Sequence, residues 1–173
     1  MRADEKKPVT QPWNKGLLIG QKRPLLPKHV WSIRVRLEMS GSARDLALFN
    51  LALDSKLRAC DLVRLRVDDV FTGSIVRDRA TIMQKKTGRP VQFEITEQTR
   101  SSIEKLLPRL RATGALHLFP GRSRSSSCLS TRQYARIVHR WVTAIGLDPS
   151  SCSSGIPNWK ARFGILASRS TTR

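Results

Sequence analysis

A chain of 173 residues can hold one domain with a true hydrophobic core, and is too short for two ordinary ones. Hydrophobic residues at 39% and charged residues at 26% are a globular composition, but 32 Lys and Arg against 13 Asp and Glu leave a net charge of +19. That charge draws polyanions, nucleic acid foremost; a ribosome-associated role, or a solvated basic surface with no specific partner, are the plainer readings.

Residues 1 to 26 mix Lys, Arg, Pro and Gly without periodicity, as in PWNKGLLIGQKRPLLP, and read as an extended basic arm. From Pro27 to Met39 the spacing of Val30, Ile33, Val35 and Leu37 among basic residues predicts a short helix. Ser42 is a natural N-cap for SARDLALFNLALDSKL, in which Leu46, Leu48, Phe49, Leu51, Ala52 and Leu53 cover nearly every face. A helix apolar almost all round belongs at the centre of a domain.

The stretch LRACDLVRLRVDDV follows, with a second short helix expected over Asp61 to Leu65 and a strand over Val67 to Phe71. After a turn at Thr72-Gly73, the alternating runs ATIMQ and VQFEI flank KKTGRP, which predicts a β-hairpin whose second strand starts at Pro90. Thr96 opens a helix through Ile103, Leu106, Leu107 and Leu110 that Pro108 kinks or ends. LHLFPGRSRSSSCLS reads as a loop. Tyr134, Ile137, Val138, Trp141, Val142 and Ile145 then mark an amphipathic helix, capped by Ser130 or Thr131 and closed by Gly146. Beyond Leu147, DPSSCSSGIPNWKARFGILASRSTTR has no sustained period and reads as an irregular tail unlike the rest.

No GxxxxGK[ST], GxGxxG or GxSxG is present, and His29, His117 and His139 lie too far apart to suggest a metal site. Cys60, Cys128 and Cys152 have no CxxC spacing and are expected as free thiols in a reducing cytoplasm. The opening residues lack the apolar segment of a signal peptide, and no later run is long enough to span a bilayer. A cytoplasmic protein without membrane contact is therefore expected, nucleoid-associated if it binds DNA.

What remains is a set of basic residues on a mostly helical scaffold. Arg58 directly follows the most apolar helix, where a cation is costly unless it pairs or meets a ligand phosphate. The residues alone leave two readings open: Arg58 or Arg64 pairs with Asp61, Asp68 or Asp69, or Arg58 faces an anion. KKTGRP is most simply a solvated hairpin tip.

In their order along the chain, LRACDLVRLRVDDV, KTGRPVQFEIT in a hairpin, LFPGR and the helix YARIVHRWVTAIGL resemble the catalytic domain of the tyrosine recombinases, the phage-integrase family. The resemblance covers about Trp13 to Leu147. It implies a mainly α fold with a small antiparallel β-sheet (α+β), with residues 1–26 as an arm, 27–147 as the recombinase-like domain and 148–173 as an unrelated tail.

By this resemblance, Arg58 holds the scissile phosphate and stabilises its pentacoordinate transition state. Asp61 supports the active-site structure, and Lys86 protonates the departing 5′-hydroxyl. Lys85 and Arg89 join Arg58 and Lys86 as expected DNA contacts, while Arg64 and Arg66 match no catalytic position. The resemblance implies double-stranded DNA as partner, leaves a homo-oligomer on DNA open, and calls for no cofactor and no metal.

The family's His-x-x-Arg box, second His or Trp and tyrosine nucleophile are not found in Asp148 to Arg173, and Tyr134, the only tyrosine, lies on an apolar stripe. The expectation is thus a C-terminally incomplete, inactive recombinase domain that retains DNA binding, with an out-of-frame tail as the hypothesis for the change after Leu147. The alternatives are a structural or RNA-binding basic protein, and an active strand-transferase that uses Tyr134 or a partner's tyrosine.

Overall fold

The computed structural model describes residues 25–121 and 128–147. The expected arm, except its last two residues, the basic GRSRSSS portion of the loop after Gly121, and the tail all lie outside these residues.

Helix α1 (Pro27–Met39) starts with Pro at its first position, where the missing N–H costs nothing, and the Nδ1 of His29 accepts the amide of Leu26 at 3.2 Å. Val30, Ile33 and Leu37 are buried, as the helical spacing requires. Val35, expected with them, is 46% exposed because it lies half a turn away from that stripe.

Helix α2 (Ala43–Ser55) begins where Ser42 accepts the amide of Asp45, and ends at Lys56, whose φ of 50° turns the chain. Every residue from Leu46 to Leu53 is buried, so this helix is the axis of the core. Each fully buried Leu there contributes about 1.5–3 kcal/mol relative to exposure. One polar residue sits within it: Asn50, 1% exposed, accepts from Arg34 Nε at 3.1 Å and donates to Ser102 Oγ at 3.4 Å. This joins α1, α2 and α5 (Glu97–Glu104) through a paired rather than orphaned amide.

Two short helices follow, α3 (Ala59–Leu62) and α4 (Val67–Val70). The expected helix over Asp61 to Leu65 therefore starts two residues earlier and ends three residues earlier. The expected strand over Val67 to Phe71 is corrected: four of those residues form a helical turn, and only Phe71 enters a strand. The cause is local, since an Asp69 carboxylate oxygen accepts the amide of Arg66 at 2.9 Å and closes the turn.

Two antiparallel two-stranded sheets complete the domain. In the first, β1 (Phe71–Thr72) pairs with β2 (Ile75–Val76). In the second, β3 (Arg79–Met83) pairs with β4 (Pro90–Glu94) in the register Arg79 to Glu94 and Met83 to Pro90, the hairpin that alternation predicted. Its inward side carries Ala80, Ile82 and Phe93.

Thr96 caps α5 by accepting from Thr99, and Asp54 Oδ2 in turn accepts from both the amide and the hydroxyl of Thr96, at 3.0 and 2.8 Å. This ties the start of α5 to the end of α2. Asp54→Ala is expected to cost about 1–2 kcal/mol of stability by loss of two exposed charge-assisted bonds, as measured by urea denaturation. Pro108 falls in the first turn of a separate helix, α6 (Leu107–Thr113), so it marks a break between α5 and α6 rather than a kink.

Leu116 to Leu118 lie antiparallel to Leu65 to Val67, with Val67 N donating to Leu116 O at 3.0 Å and Leu118 N to Leu65 O at 2.9 Å. Leu118 and Phe119 have no exposed surface, so this part of the expected loop belongs to the core. Helix α7 (Thr131–Ala144), capped by Ser130, buries Tyr134, Ile137, Trp141 and Val142. Trp141 meets Phe49 of α2 edge-on, with ring centroids 5.5 Å apart and planes at 85°.

Candidate nucleic-acid interface

The left-handed Lys56 ends the central helix and directs Leu57 inward, which leaves Arg58 as the residue before α3. The Arg58 main-chain carbonyl accepts the amides of Asp61 and Leu62, both at 2.9 Å, so its backbone is fixed by the turn that it caps. Its side chain is half-buried, and Nη1 is shut off from solvent without a hydrogen-bond partner.

Asp61 does not supply that partner. It is 4% exposed, and its Oδ1 accepts the backbone amide of Lys85 at 3.0 Å, across 24 residues of sequence, while its Oδ2 is buried without a bond. Among the described residues Arg58 and Arg64 join no ion pair, and neither do Asp68 and Asp69. The pairing of Arg58 or Arg64 with a nearby aspartate, one of the two readings left open, is thus not formed.

The Asp61 bond brings the β3–β4 connection against α3. That connection carries Lys85, Lys86 and Arg89, all exposed. Arg58 and Lys86, which are 28 positions apart in sequence, are therefore carried on two segments joined by a direct hydrogen bond. Arg64 and Arg66, which follow α3 in the chain, are exposed, and the backbone of Arg66 bridges to His117.

The connection itself is well tied. The Gln84 amide donates to Arg89 O at 3.0 Å, the Gly88 amide donates to Gln84 O at 2.8 Å, and Gly88 takes the φ of 63° that the turn needs. Gln84 is 7% exposed, on the inward side of β3 next after Ala80 and Ile82. A polar residue on the inward side of an alternating strand was the available signal, and the motif reading passed over it.

Tyr134 is 6% exposed on the core face of α7, and its burial pushes the phenol well above its ordinary pKa. Among the described residues no cluster of three or more His, Cys, Asp or Glu could hold a metal ion, and no helix is long and apolar enough to cross a membrane.

This arrangement agrees with what the chain matches: the family model for the phage integrase family aligns with residues 27–154, most of its length. The chain belongs to the phage integrase family. No curated protein matches it. Among solved structures, a crystal structure of XerA recombinase superposes with a TM-score of 0.60 at 14% identity, over 75% of this chain and 47% of that one. The lambda integrase (residues 75–356) bound to DNA superposes with a TM-score of 0.52 at 22% identity, over 73% of this chain and 44% of that one. At these identities the likeness is one of fold. The integrase-family chain described here spans less than half the length of either neighbour.

Proposed function

We propose that residues 27–147 form a DNA-binding tyrosine recombinase catalytic domain carrying half of a strand-transfer site: Arg58 on a backbone phosphate, Lys86 beside it, and Asp61 holding the two segments together. Residues 1–26 are assigned as a basic arm and 148–173 as a segment outside the domain. Lys85 and Arg89 extend the phosphate contact along the hairpin. The observation that carries this reading is the guanidinium of Arg58, half-buried with a solvent-shielded Nη1 that no described residue satisfies. A buried donor of that kind is costly unless an acceptor arrives, and a phosphate oxygen is the acceptor that a guanidinium fork fits best.

The same reading makes this chain a binder rather than a site-specific recombinase or integrase. Recombination in this family proceeds through a phosphotyrosine link, which needs a tyrosine oxygen at the phosphorus and a second arginine to share the charge. The sequence holds one tyrosine, Tyr134, whose phenol is buried and held neutral, and no His-x-x-Arg box.

Two measurements test the proposal. In filter binding, affinity for a duplex should fall steeply with salt, the logarithmic slope rising by about 0.9 for each phosphate contacted. Affinity that ignores salt would remove the phosphate-binding reading. On nicked suicide DNA, a denaturing gel should show no protein–DNA adduct, and a covalent band would establish an active strand-transferase instead.

A further inference from the structure

We propose that Gln84 and Thr87 are positioning residues for Lys86, holding the Lys85–Gly88 loop in one conformation before DNA arrives. The inference rests on the reading that Lys86 meets a DNA phosphate, and it adds two residues that carry no charge themselves.

The bonding forms a closed ring around Lys86. Thr87 Oγ1 donates to Gln84 Oε1 at 3.0 Å, and the same hydroxyl accepts the amide of Arg89 at 3.4 Å. Gln84 closes the base of the loop through its own amide, 3.0 Å from Arg89 O, and its carbonyl, 2.8 Å from the amide of Gly88. On the other side of Lys86, the amide of Lys85 is 3.0 Å from Asp61 Oδ1. Lys86 is thus the exposed residue between two neighbours that are both fastened to buried side chains.

A lysine on a loose loop must order its backbone as well as its side chain when it contacts a phosphate. A loop already ordered removes the first of these costs. Gln84 is suited to the task because it is buried while presenting an amide oxygen, so its part-buried hydrogen bond to Thr87 competes less with water than a surface one would. Gln84 follows Ile82 on the core side of β3, where an apolar residue would pack more simply; what it provides instead is an acceptor for the loop.

The test is a mutant cycle on the full chain, read by filter binding to one duplex across a salt series. Lys86→Ala should weaken binding and lower the salt slope by about 0.9. Thr87→Val, which keeps the shape and removes the hydroxyl, should weaken binding by about three- to tenfold, and Thr87→Ser should restore it to within about twofold. In the Lys86→Ala background, Thr87→Val should change affinity by less than about 1.5-fold, because its effect passes through the lysine. Gln84→Ala should follow Thr87→Val, and Gln84→Glu, which retains the acceptor, should not. If Gln84→Ala fails to fold, the exposed Thr87 series still decides.

The outcomes separate cleanly. If Lys86→Ala leaves affinity and slope unchanged, the assignment of Lys86 to DNA fails, and with it this inference. If Lys86→Ala acts while Thr87→Val does not, only the positioning roles are wrong. If Thr87→Val costs as much without Lys86 as with it, the hydroxyl acts through Arg89 or touches DNA itself, and the positioning role toward Lys86 is again overturned.

Discussion

Arg58→Ala is expected to weaken duplex DNA binding by about ten- to a hundredfold, the range of one lost hydrogen-bonded charge contact, and to leave the domain as stable as before or more so. The two halves of this expectation come from one observation. Nη1 of Arg58 is buried without a partner, and among the described residues no carboxylate pairs with the guanidinium. In the free protein the group is a cost, because it has lost water and gained no acceptor. On DNA the proposed phosphate contact would recover that cost. Filter binding and urea denaturation of the same variant measure both. A strong loss of stability with unchanged DNA affinity would show that Arg58 serves the scaffold, and the proposed phosphate site would fall. Arg64→Ala provides the comparison: as an exposed residue without an ion pair, it should change affinity only as one charge among many.

Much of this architecture was legible from periodicity. Helices α2 and α7 show their caps and apolar spacing openly, and the β3–β4 hairpin shows alternation around a glycine-containing turn. Short segments were not legible in the same way. VDDVF fits a strand by its apolar ends, and what decided for a helical turn was a single bond from the Arg66 amide to Asp69. Four residues are too few for a period to outweigh one side-chain cap.

The candidate residues could be named from the sequence, but not the bonds that connect them. Arg58 and Asp61 are three residues apart at the start of a helix, so a local ion pair is what their sequence suggests. The structure sends Asp61 elsewhere, to the amide of Lys85 24 residues away, which ties the β3–β4 connection to α3. No local pattern encodes that choice. Gln84 and Asn50 differ in this respect: each is a polar residue at a position that periodicity marks as inward, and each proves to hold a side-chain hydrogen bond, Asn50 between two helices and Gln84 within its own loop. Polar exceptions to an apolar pattern are therefore the most informative positions in this chain after its charges.

The wiring of Asp61 leads to a prediction that distinguishes two ways in which a carboxylate can support an arginine. If Asp61 acted by charge on Arg58, then Asp61→Asn, which abolishes the charge, should harm the protein about as much as Asp61→Ala. If it acts as the acceptor for the Lys85 amide, Asn retains an oxygen in the same place and should preserve the fold. The geometry favours the second: Oδ1 lies 3.0 Å from the Lys85 amide, while Oδ2 has no partner at all. Asp61→Ala should therefore cost about 1.5–3 kcal/mol, the range for loss of a hydrogen bond to a charged group. Asp61→Asn should lie within about 1 kcal/mol of the parent, since the lost charge–dipole attraction is offset by removal of a buried carboxylate with no cation to balance it. Amide hydrogen exchange gives the more specific readout. In Asp61→Ala the amide of Lys85 should lose protection before the core of α2 does, because the hairpin loop separates from α3 as a local opening. Protection lost equally at both would mean that Asp61 holds the whole domain together, and the link between the two halves of the site would no longer be its particular task.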